Sequence, residues 1–236
     1  MTKALYMEDS YLKECDAVIT KVTDNKYVVL DQTVFYPNAG GQPHDTGKII
    51  KDDEVFIVDF VKKFGEDISH EIDHPGLKIG DKVTCEIDWP RRHKLMRYHT
   101  AAHLLSAIIF KDTGAKITGN QLSEEKGRID FSLESFDREK LKNYEHEFNA
   151  LVEKNLPIKT CTMPKEEAFK IASIFRLKNV IPETVKELRI VEIEGIDKQA
   201  CGGTHVKNIS EIKGITITDM VNKGKNNRRV YFVLKD

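Results

Sequence analysis

The sequence predicts an α+β protein in which a small β-barrel-like domain over residues 1–89 precedes a mixed α/β domain over residues 90–236. Short alternating segments separated by turn residues fill the first part of the chain, which is typical of a small barrel. At Asp88-Trp89-Pro90 the hydrophobic period changes to that of a helix. Helical and strand-like segments then follow one another to the end of the chain.

In the first domain, hydrophobic alternation predicts short strands joined by turns. The predicted strands cover residues 15–21, 27–30, 47–50, 55–60 and 83–88. Asp24-Asn25 is a hairpin turn in this interpretation, because both residue types tolerate turn conformations. The loop over residues 35–43 contains the consecutive glycines Gly40 and Gly41.

In the second domain, the spacing predicts a helix that begins at Pro90 and stops at Gly114. A second helix is expected from Asp137, an N-cap residue, to about residue 156, where Pro157 ends it. The predicted strands cover residues 128–133, 158–163, 188–193, 215–220 and 230–234.

Composition describes an ordinary globular protein, with 236 residues of which 40% are hydrophobic and 32% charged. The net charge of −1 gives no overall attraction to nucleic acid, so any such contact must come from local patches. No run approaches the ~20 apolar residues of a membrane-spanning helix. The first residues turn acidic before a signal-peptide core could form. We therefore expect a cytoplasmic protein with no membrane partner.

The four cysteines do not indicate a disulfide framework in a chain of this size. Cys15, Cys85 and Cys161 lie in apolar, strand-like contexts, where the expected role is a small buried hydrophobic residue. Only Cys201 lies beside glycines and a nearby histidine.

Two short segments, residues 99–103 and 201–205, each offer two metal-binding side chains four positions apart. On a helix, residues i and i+4 are neighbours with ~5–6 Å between Cβ atoms, so His99 and His103 could bind one ion. The alternative is a pair of core histidines without a metal. Gly202-Gly203 would permit a tight turn with positive φ, so that Cys201 and His205 face one point. The alternative there is a glycine turn beside an incidental cysteine.

His70 and His74 have the same spacing but a different context, since they follow Ile68 in a period of two and stop at Pro75. On a strand, four residues span roughly 13 Å, which is too far for one metal. We therefore exclude this pair as ligands. The remaining set predicts a zinc site of His99, His103 and Cys201, with His205 as the fourth member. Thiolate and imidazole are the donors that zinc prefers.

Three ordered motifs, at residues 35–43, 99–105 and 189–193 leading into 201–205, resemble the editing domain of alanyl-tRNA synthetases. In size the chain is similar to the freestanding AlaX proteins, which edit in trans. The resemblance covers essentially the whole chain. Ala39 is a mild departure, because the family usually has a glycine at the start of that glycine motif.

The resemblance implies a zinc-dependent aminoacyl-tRNA deacylase with one Zn²⁺ per chain and aminoacyl-tRNA, above all tRNA(Ala), as its partner. Such enzymes hydrolyse the ester that joins a wrong amino acid, chiefly serine and in some members glycine, to tRNA(Ala). The need is physical, because a hydrophobic pocket rejects an analogue with one extra hydroxyl by only ~10². Two alternatives are a tRNA-binding module with a purely structural zinc and a zinc hydrolase acting on another acyl ester.

By the same resemblance, His205, Cys201 and Gln42 are the candidate catalytic residues, and Gly40, Gly41, Gln42 and Thr100 are the candidate substrate contacts. Gln42 or the Thr100 hydroxyl could hydrogen-bond the serine hydroxyl. The alternative for Thr100 is a hydrogen bond to its own helix backbone. His205 either ligates zinc or positions a water molecule, and the sequence leaves both open.

The predicted RNA-binding residues are Lys223, Lys225, Arg228 and Arg229, which flank the last hairpin in a stretch without acids. Phosphate contacts of this kind give salt-sensitive affinity with little sequence preference. The alternative is a solvated charged face. No DNA partner is expected, and the sequence does not predict an oligomeric state.

Overall fold

A computed structural model of the chain describes residues 1–134, 137–171, 174 and 185–236. It divides into two compact units, Met1–Leu95 and Met96–Asp236. Barrel strands, separate sheets and helices occur together, which confirms the predicted α+β class. The domain boundary expected between residues 89 and 90 stays a prediction.

The first unit is built around a closed barrel. Its strands are β1 (Lys3–Ala4), β2 (Glu14–Thr23), β3 (Tyr27–Leu30), β4 (Gln32–Thr33), β5 (Gly47–Lys51), β6 (Glu54–Phe64), β7 (Asp67–Ile72) and β8 (Lys82–Ile87). Six of them form the barrel in the order β2-β3-β7-β6-β5-β8, with antiparallel neighbours. Inward-facing side chains such as Val28, Phe56 and Ile68 alternate with outward-facing residues and form its core.

The long helix α1 (Trp89–Thr113) begins where the sequence predicts. The Asp88 carboxylate accepts a hydrogen bond from the Arg91 backbone N–H at 3.2 Å, which satisfies one unpaired donor of the first turn. Gly114 follows the helix with a φ of +69°, a conformation that glycine adopts without a steric penalty. Leu104 and Leu105 are fully buried in the middle of the helix.

The second unit contains two antiparallel sheets. Its other elements are β9 (Ile117–Leu122), β10 (Gly127–Phe131), α2 (Arg138–Val152), β11 (Ile158–Pro164), α3 (Lys165–Ala168), β12 (Glu187–Ile193), β13 (Asp197–Ala200), β14 (Ile215–Asn222) and β15 (Arg228–Leu234). The sheet orders are β14-β15-β10-β9 and β11-β12-β13. Within the described ranges, no helix combines the length and the apolar run that a membrane crossing needs.

Three expectations are corrected. Helix α2 is capped by Asp137 as predicted but ends at Val152, because the chain turns there and Asn155 adopts a φ of +54°. Strands β1, β4, β9 and β13 were not predicted, since β9 is largely polar and the other three have only two to four residues. Cys161 is exposed rather than buried, because it lies on β11, an edge strand.

Candidate metal centre

The two metal-binding pairs predicted from the sequence lie together in the second unit. His99 and His103 project from α1, and Cys201 and His205 lie in the turn after β13; one donor atom from each falls within 4.8 Å of all the others. Cys201 Sγ is 3.5 Å from His99 Nε2 and 3.4 Å from His205 Nε2. The three histidines are buried. Nitrogen and sulfur donors therefore converge on one enclosed point.

Helix geometry brings the first pair together, with 5.2 Å between the ring centroids of His99 and His103. His205 approaches both rings, at 4.3 Å from His99 and 4.6 Å from His103. The three rings thus surround the sulfur although two of them come from a segment about a hundred residues away.

The turn that carries Cys201 is held by Arg189 on β12. The Arg189 guanidinium donates to the carbonyls of Cys201 at 3.0 Å and Gly203 at 2.8 Å. The Cys201 backbone N–H in turn donates to the Arg189 carbonyl at 3.0 Å. Neither Gly202 nor Gly203 is among the positive-φ residues of the described chain, so the left-handed turn predicted there is wrong. The Arg189 hydrogen bonds close the turn instead.

Thr100 orients His205. The Thr100 hydroxyl oxygen is 3.1 Å from His205 Nδ1, and it accepts a hydrogen bond from the Val206 backbone N–H at 3.3 Å. If Nδ1–H donates to Thr100, the lone pair of Nε2 is left facing Cys201, which is the tautomer a metal ligand needs. The Thr100 hydroxyl is thus engaged by His205 and Val206, and not by its own helix backbone as the alternative expected.

Asp197 orients His103 and was missed by the sequence analysis. Its Oδ2 is 3.4 Å from His103 Nδ1 and accepts a hydrogen bond from Gln199 Nε2 at 2.7 Å. Asp197 and Gln199 are both buried and alternate on β13 directly before Cys201. Two polar residues at strand spacing beside a ligand were the available signal. A carboxylate behind a histidine is the usual outer partner of a metal ligand.

Electrostatics within the cluster favour a thiolate. Burial acts to raise the pKa of the Cys201 thiol, but the neighbouring charges of His99, His103 and His205 outweigh it and hold that pKa well below its usual value. Burial acts to lower the pKa of His103, but the Cys201 thiolate and Asp197 raise it to about 9. Burial and the charge of His99 hold the pKa of His205 well below its usual value.

These donors fit a zinc ion. Tetrahedral zinc with Zn–S near about 2.3 Å and Zn–N near about 2.05 Å places sulfur and nitrogen about 3.5 Å apart. The two sulfur–nitrogen distances at Cys201 are 3.5 and 3.4 Å. The donor set of three imidazoles and one thiol is also of the type that zinc prefers.

The glycine loop lies in the first unit and makes a tight two-residue turn. Ala39 and Gln42 exchange backbone hydrogen bonds of 3.2 and 2.9 Å across it. Gly40 and Gly41 have φ angles of +58° and +83°, so both central residues are left-handed, as in a type I′ turn. Gln42 is fully buried. The predicted substrate and catalytic roles of this loop stay predictions.

Of the predicted RNA-binding residues, the two arginines are engaged within the protein. Arg229 forms a two-pronged ion pair with Asp130, at 2.7 and 2.9 Å. Arg228 donates to the Asn222 side chain at 2.8 Å and to the Gly224 carbonyl at 2.7 Å, within its own hairpin. Lys223 and Lys225 are exposed. Their phosphate contacts stay a prediction.

Comparisons with known proteins agree with this arrangement. Residues 5–91 match the family model of class II (A) tRNA synthetases, and residues 188–231 match that of the threonyl and alanyl tRNA synthetase second additional domain. An alanyl-tRNA editing protein AlaX-M from Methanosarcina barkeri is 51% identical over the whole of both chains. The chain belongs to the AlaX-M family.

Other relatives extend the AlaX-M likeness. The AlaX-M protein of Saccharolobus solfataricus is 40% identical over the full length of both chains. The alanine–tRNA ligase of Ignicoccus hospitalis is 38% identical across 92% of this chain, which corresponds to 24% of the ligase. An AlaX-M chain thus matches one part of a much longer synthetase.

Proposed function

We propose that this protein hydrolyses the ester bond of mischarged tRNA(Ala) in trans, with Ser-tRNA(Ala) as the first substrate and Gly-tRNA(Ala) as a second. The observation that carries the proposal is the convergence of His99, His103, Cys201 and His205 within 4.8 Å in a chain of the AlaX-M family. Its AlaX-M relatives from Methanosarcina are alanyl-tRNA editing proteins. The site of the reaction would be the cytoplasm.

In this proposal the four residues hold Zn²⁺, with one ion per chain. A bound zinc would supply either a more acidic water molecule or an anchor for the amino group of the substrate. The chain's own residues prepare the site: Asp197 fixes the ring of His103, and Thr100 fixes the ring of His205. His205 thereby keeps both of its candidate roles, as a ligand and as the group that positions the attacking water.

The glycine loop and the lysines complete the proposal. Gly40, Gly41 and Gln42 would contact the aminoacyl end, where a bare backbone allows close approach. Lys223 and Lys225 would bind phosphate, while Arg228 and Arg229 shape the hairpin that presents them. Replacing the two lysines with glutamate should weaken the binding of all tRNAs to a similar extent. It should also reduce the dependence of that affinity on salt concentration.

One observation favours a second candidate, a tRNA-binding module with a structural zinc. Four protein donors lie within 4.8 Å of one another, enough to fill all four positions of a tetrahedral zinc. Structural zinc sites are typically closed in this way, whereas catalytic ones keep an open position. A third candidate, a zinc hydrolase on another acyl ester, shares the same site. Substrate hydrolysis therefore has to be measured directly.

The test is deacylation of tRNA(Ala) charged separately with serine, glycine and alanine. The editing proposal expects rapid loss of serine while alanine is retained. A binding module would not speed up the hydrolysis of any of the three esters. Equal, slow loss of every amino acid would contradict editing, and faster loss from an unrelated activated ester would favour the third candidate.

A further inference from the structure

Two cysteines of the barrel, neither of them a member of the metal centre, stand directly opposite each other. Cys15 on β2 pairs in register with Cys85 on β8. Two residues after Cys85, the Ile87 N–H donates to the carbonyl of Lys13, two residues before Cys15, at 2.9 Å. Because pair types alternate in an antiparallel ladder, Cys15 and Cys85 form a hydrogen-bonded pair with Cα atoms about 5.5 Å apart. This separation lies within the disulfide range of about 4.4–6.8 Å.

Both side chains are on the inward face of their strands. Cys15 shares its row with Ala17 and Ile19, which are buried, while Cys85 is fully buried in the barrel core. Cys15 itself is only half-buried, as the second residue of β2. The pair therefore consists of one reachable sulfur and one protected sulfur.

The two facing thiols are hydrogen-bonded to each other, and this contact shifts their pKa values in opposite directions. A hydrogen bond from the Cys85 thiol is the largest influence on Cys15 and lowers the pKa of Cys15, with help from the Val34 backbone. The same contact, together with burial, raises the pKa of Cys85 well above its ordinary value. Cys15 therefore loses its proton more readily than the buried Cys85. Because the thiolate is the nucleophilic form, Cys15 is the sulfur that reacts first.

We propose that Cys15 and Cys85 are an oxidation site, at which a hydroperoxide converts the facing thiols into a reversible disulfide. An accessible thiolate poised next to a resolving cysteine is the arrangement of redox-sensitive sites. Closing the bond must draw the Cβ atoms from about 4.5–5.5 Å, typical of facing strand residues, to about 3.5–4.5 Å. A disulfide formed under such contraction is easily reduced.

The chemistry balances with hydrogen peroxide as the oxidant. The Cys15 thiolate attacks one peroxide oxygen, the O–O bond breaks, and hydroxide leaves, so that a sulfenic acid forms. The Cys85 sulfur then attacks the Cys15 sulfur, the S–O bond breaks, and the departing hydroxide takes the Cys85 proton as water. Two thiols lose two electrons in total, and a dithiol reductant reverses the change by thiol–disulfide exchange.

Cys161 is the matched control. It is also on a strand, and it is more exposed than Cys15, but its register partner is Ile190 rather than a cysteine. If exposure alone governs oxidation, Cys161 should react first. If the facing pair governs it, Cys15 should react at least about tenfold faster than Cys161 and should end in a disulfide.

The experiment treats the full-length, zinc-loaded chain with hydrogen peroxide, alkylates the remaining thiols and maps the peptides by mass spectrometry. We expect a peptide that links Cys15 to Cys85 and disappears after dithiothreitol. In Cys85→Ala, the sulfenic acid of Cys15 should persist and react with dimedone. This readout is independent of deacylation, so it stands or falls separately from the proposed function.

Two results would overturn the proposal. One is oxidation of Cys15 no faster than that of Cys161. The other is a wild-type protein in which Cys15 is oxidised while Cys85 remains alkylatable. Mapping of the wild-type chain decides both, so the conclusion does not depend on whether Cys85→Ala folds.

Discussion

Two histidine pairs of identical spacing, His70/His74 and His99/His103, end in different environments. On α1 the rings of His99 and His103 are 5.2 Å apart beside a thiol. In the barrel, His70 is fully buried on β7, whereas His74 lies beyond the strand end, stacked on Phe56 at 4.6 Å. The secondary structure, and not the sequence spacing alone, decides whether two histidines can bind the same metal ion.

The hydrogen-bond and charge partners of His70 and His103 differ as well. His70 Nδ1–H donates to the Val28 carbonyl at 3.3 Å, and its Nε2 accepts from the Thr33 hydroxyl at 2.9 Å. Both ring nitrogens are thus occupied by the barrel. The Nδ1 atom of His103 faces the Asp197 carboxylate, and the ring also neighbours the Cys201 sulfur. The other ring nitrogen, Nε2, is therefore left for a metal. The first histidine is a structural group and the second a candidate ligand.

The largest expected effect is on zinc content, which a mutation in the helical histidine pair should lower and a mutation in the barrel pair should not. His103→Ala should lose most of its zinc, because three donors remain in a site built for four. His74→Ala, the control, should retain about one zinc per chain. Elemental analysis of the purified variants measures this. Equal zinc content in both variants would mean that the helical pair does not bind the metal.

The sequence could predict both pairs because each depends on local geometry. The i, i+4 rule placed His99 beside His103, and alternation around Ile68 placed His70 on a strand. Asp197 and Arg189 escaped prediction because their roles depend on tertiary contacts with His103 and with the turn at Cys201.

The basic cluster and the glycine pairs show the same limit. Arg229 looked like a free phosphate contact until the fold paired it with Asp130, 99 positions earlier. Gly40-Gly41 and Gly202-Gly203 have the same two letters, yet the structure gives positive φ only to the first pair. A glycine pair allows a left-handed turn, but the surrounding hydrogen bonds decide whether one forms.

The second prediction concerns the pH dependence of stability, to which His70 of the barrel pair should contribute. Burial lowers the pKa of His70 to about 4 from an ordinary value of 6.5. The folded state therefore disfavours the protonated ring, and stability should be complete above pH 6.5 and fall as the pH drops towards 4. The loss attributable to His70 is at most about 3 kcal/mol.

Chemical denaturation at several pH values measures this contribution as the difference between the wild type and His70→Asn. The asparagine cannot titrate, so its stability should change less between pH 6.5 and 4. His74→Asn, at a position where the side chain is 40% exposed, is the control and should stay closer to the wild-type curve than His70→Asn does. Parallel curves for the wild type and His70→Asn would show that His70 is not the proton-sensitive group.

A third prediction sharpens the role assigned to Asp197. Asp197→Asn keeps the shape of the side chain but removes the charge behind His103, and metal affinity should fall about 10–100-fold. Competition with a chromophoric chelator gives the affinity. Asp219→Asn, at an exposed position on β14, is the matched control and should bind metal as the wild type does. An unchanged affinity in Asp197→Asn would remove Asp197 from the site.

The smallest expected effect on stability comes from the glycine loop, where one glycine serves the turn conformation and the next is proposed to allow close approach of the substrate. Gly40→Asn should cost no more than about 0.5 kcal/mol, because asparagine suits a type I′ turn and a Cβ there meets open space. Gly41→Val places a β-branched residue at a φ of +83° and should strongly reduce deacylation. Denaturation and deacylation assays on both variants test this. Normal deacylation by Gly41→Val would assign the loop to architecture alone.

The central claim is that a metal held by His99, His103, Cys201 and His205 is needed to hydrolyse Ser-tRNA(Ala). The most direct measurement removes the metal with a chelator, confirms by circular dichroism that the chain is still folded, and follows deacylation before and after zinc is restored. We predict that hydrolysis is lost with the metal and recovers as about one zinc per chain returns. A folded, metal-free protein that hydrolyses Ser-tRNA(Ala) at the full rate would contradict the claim.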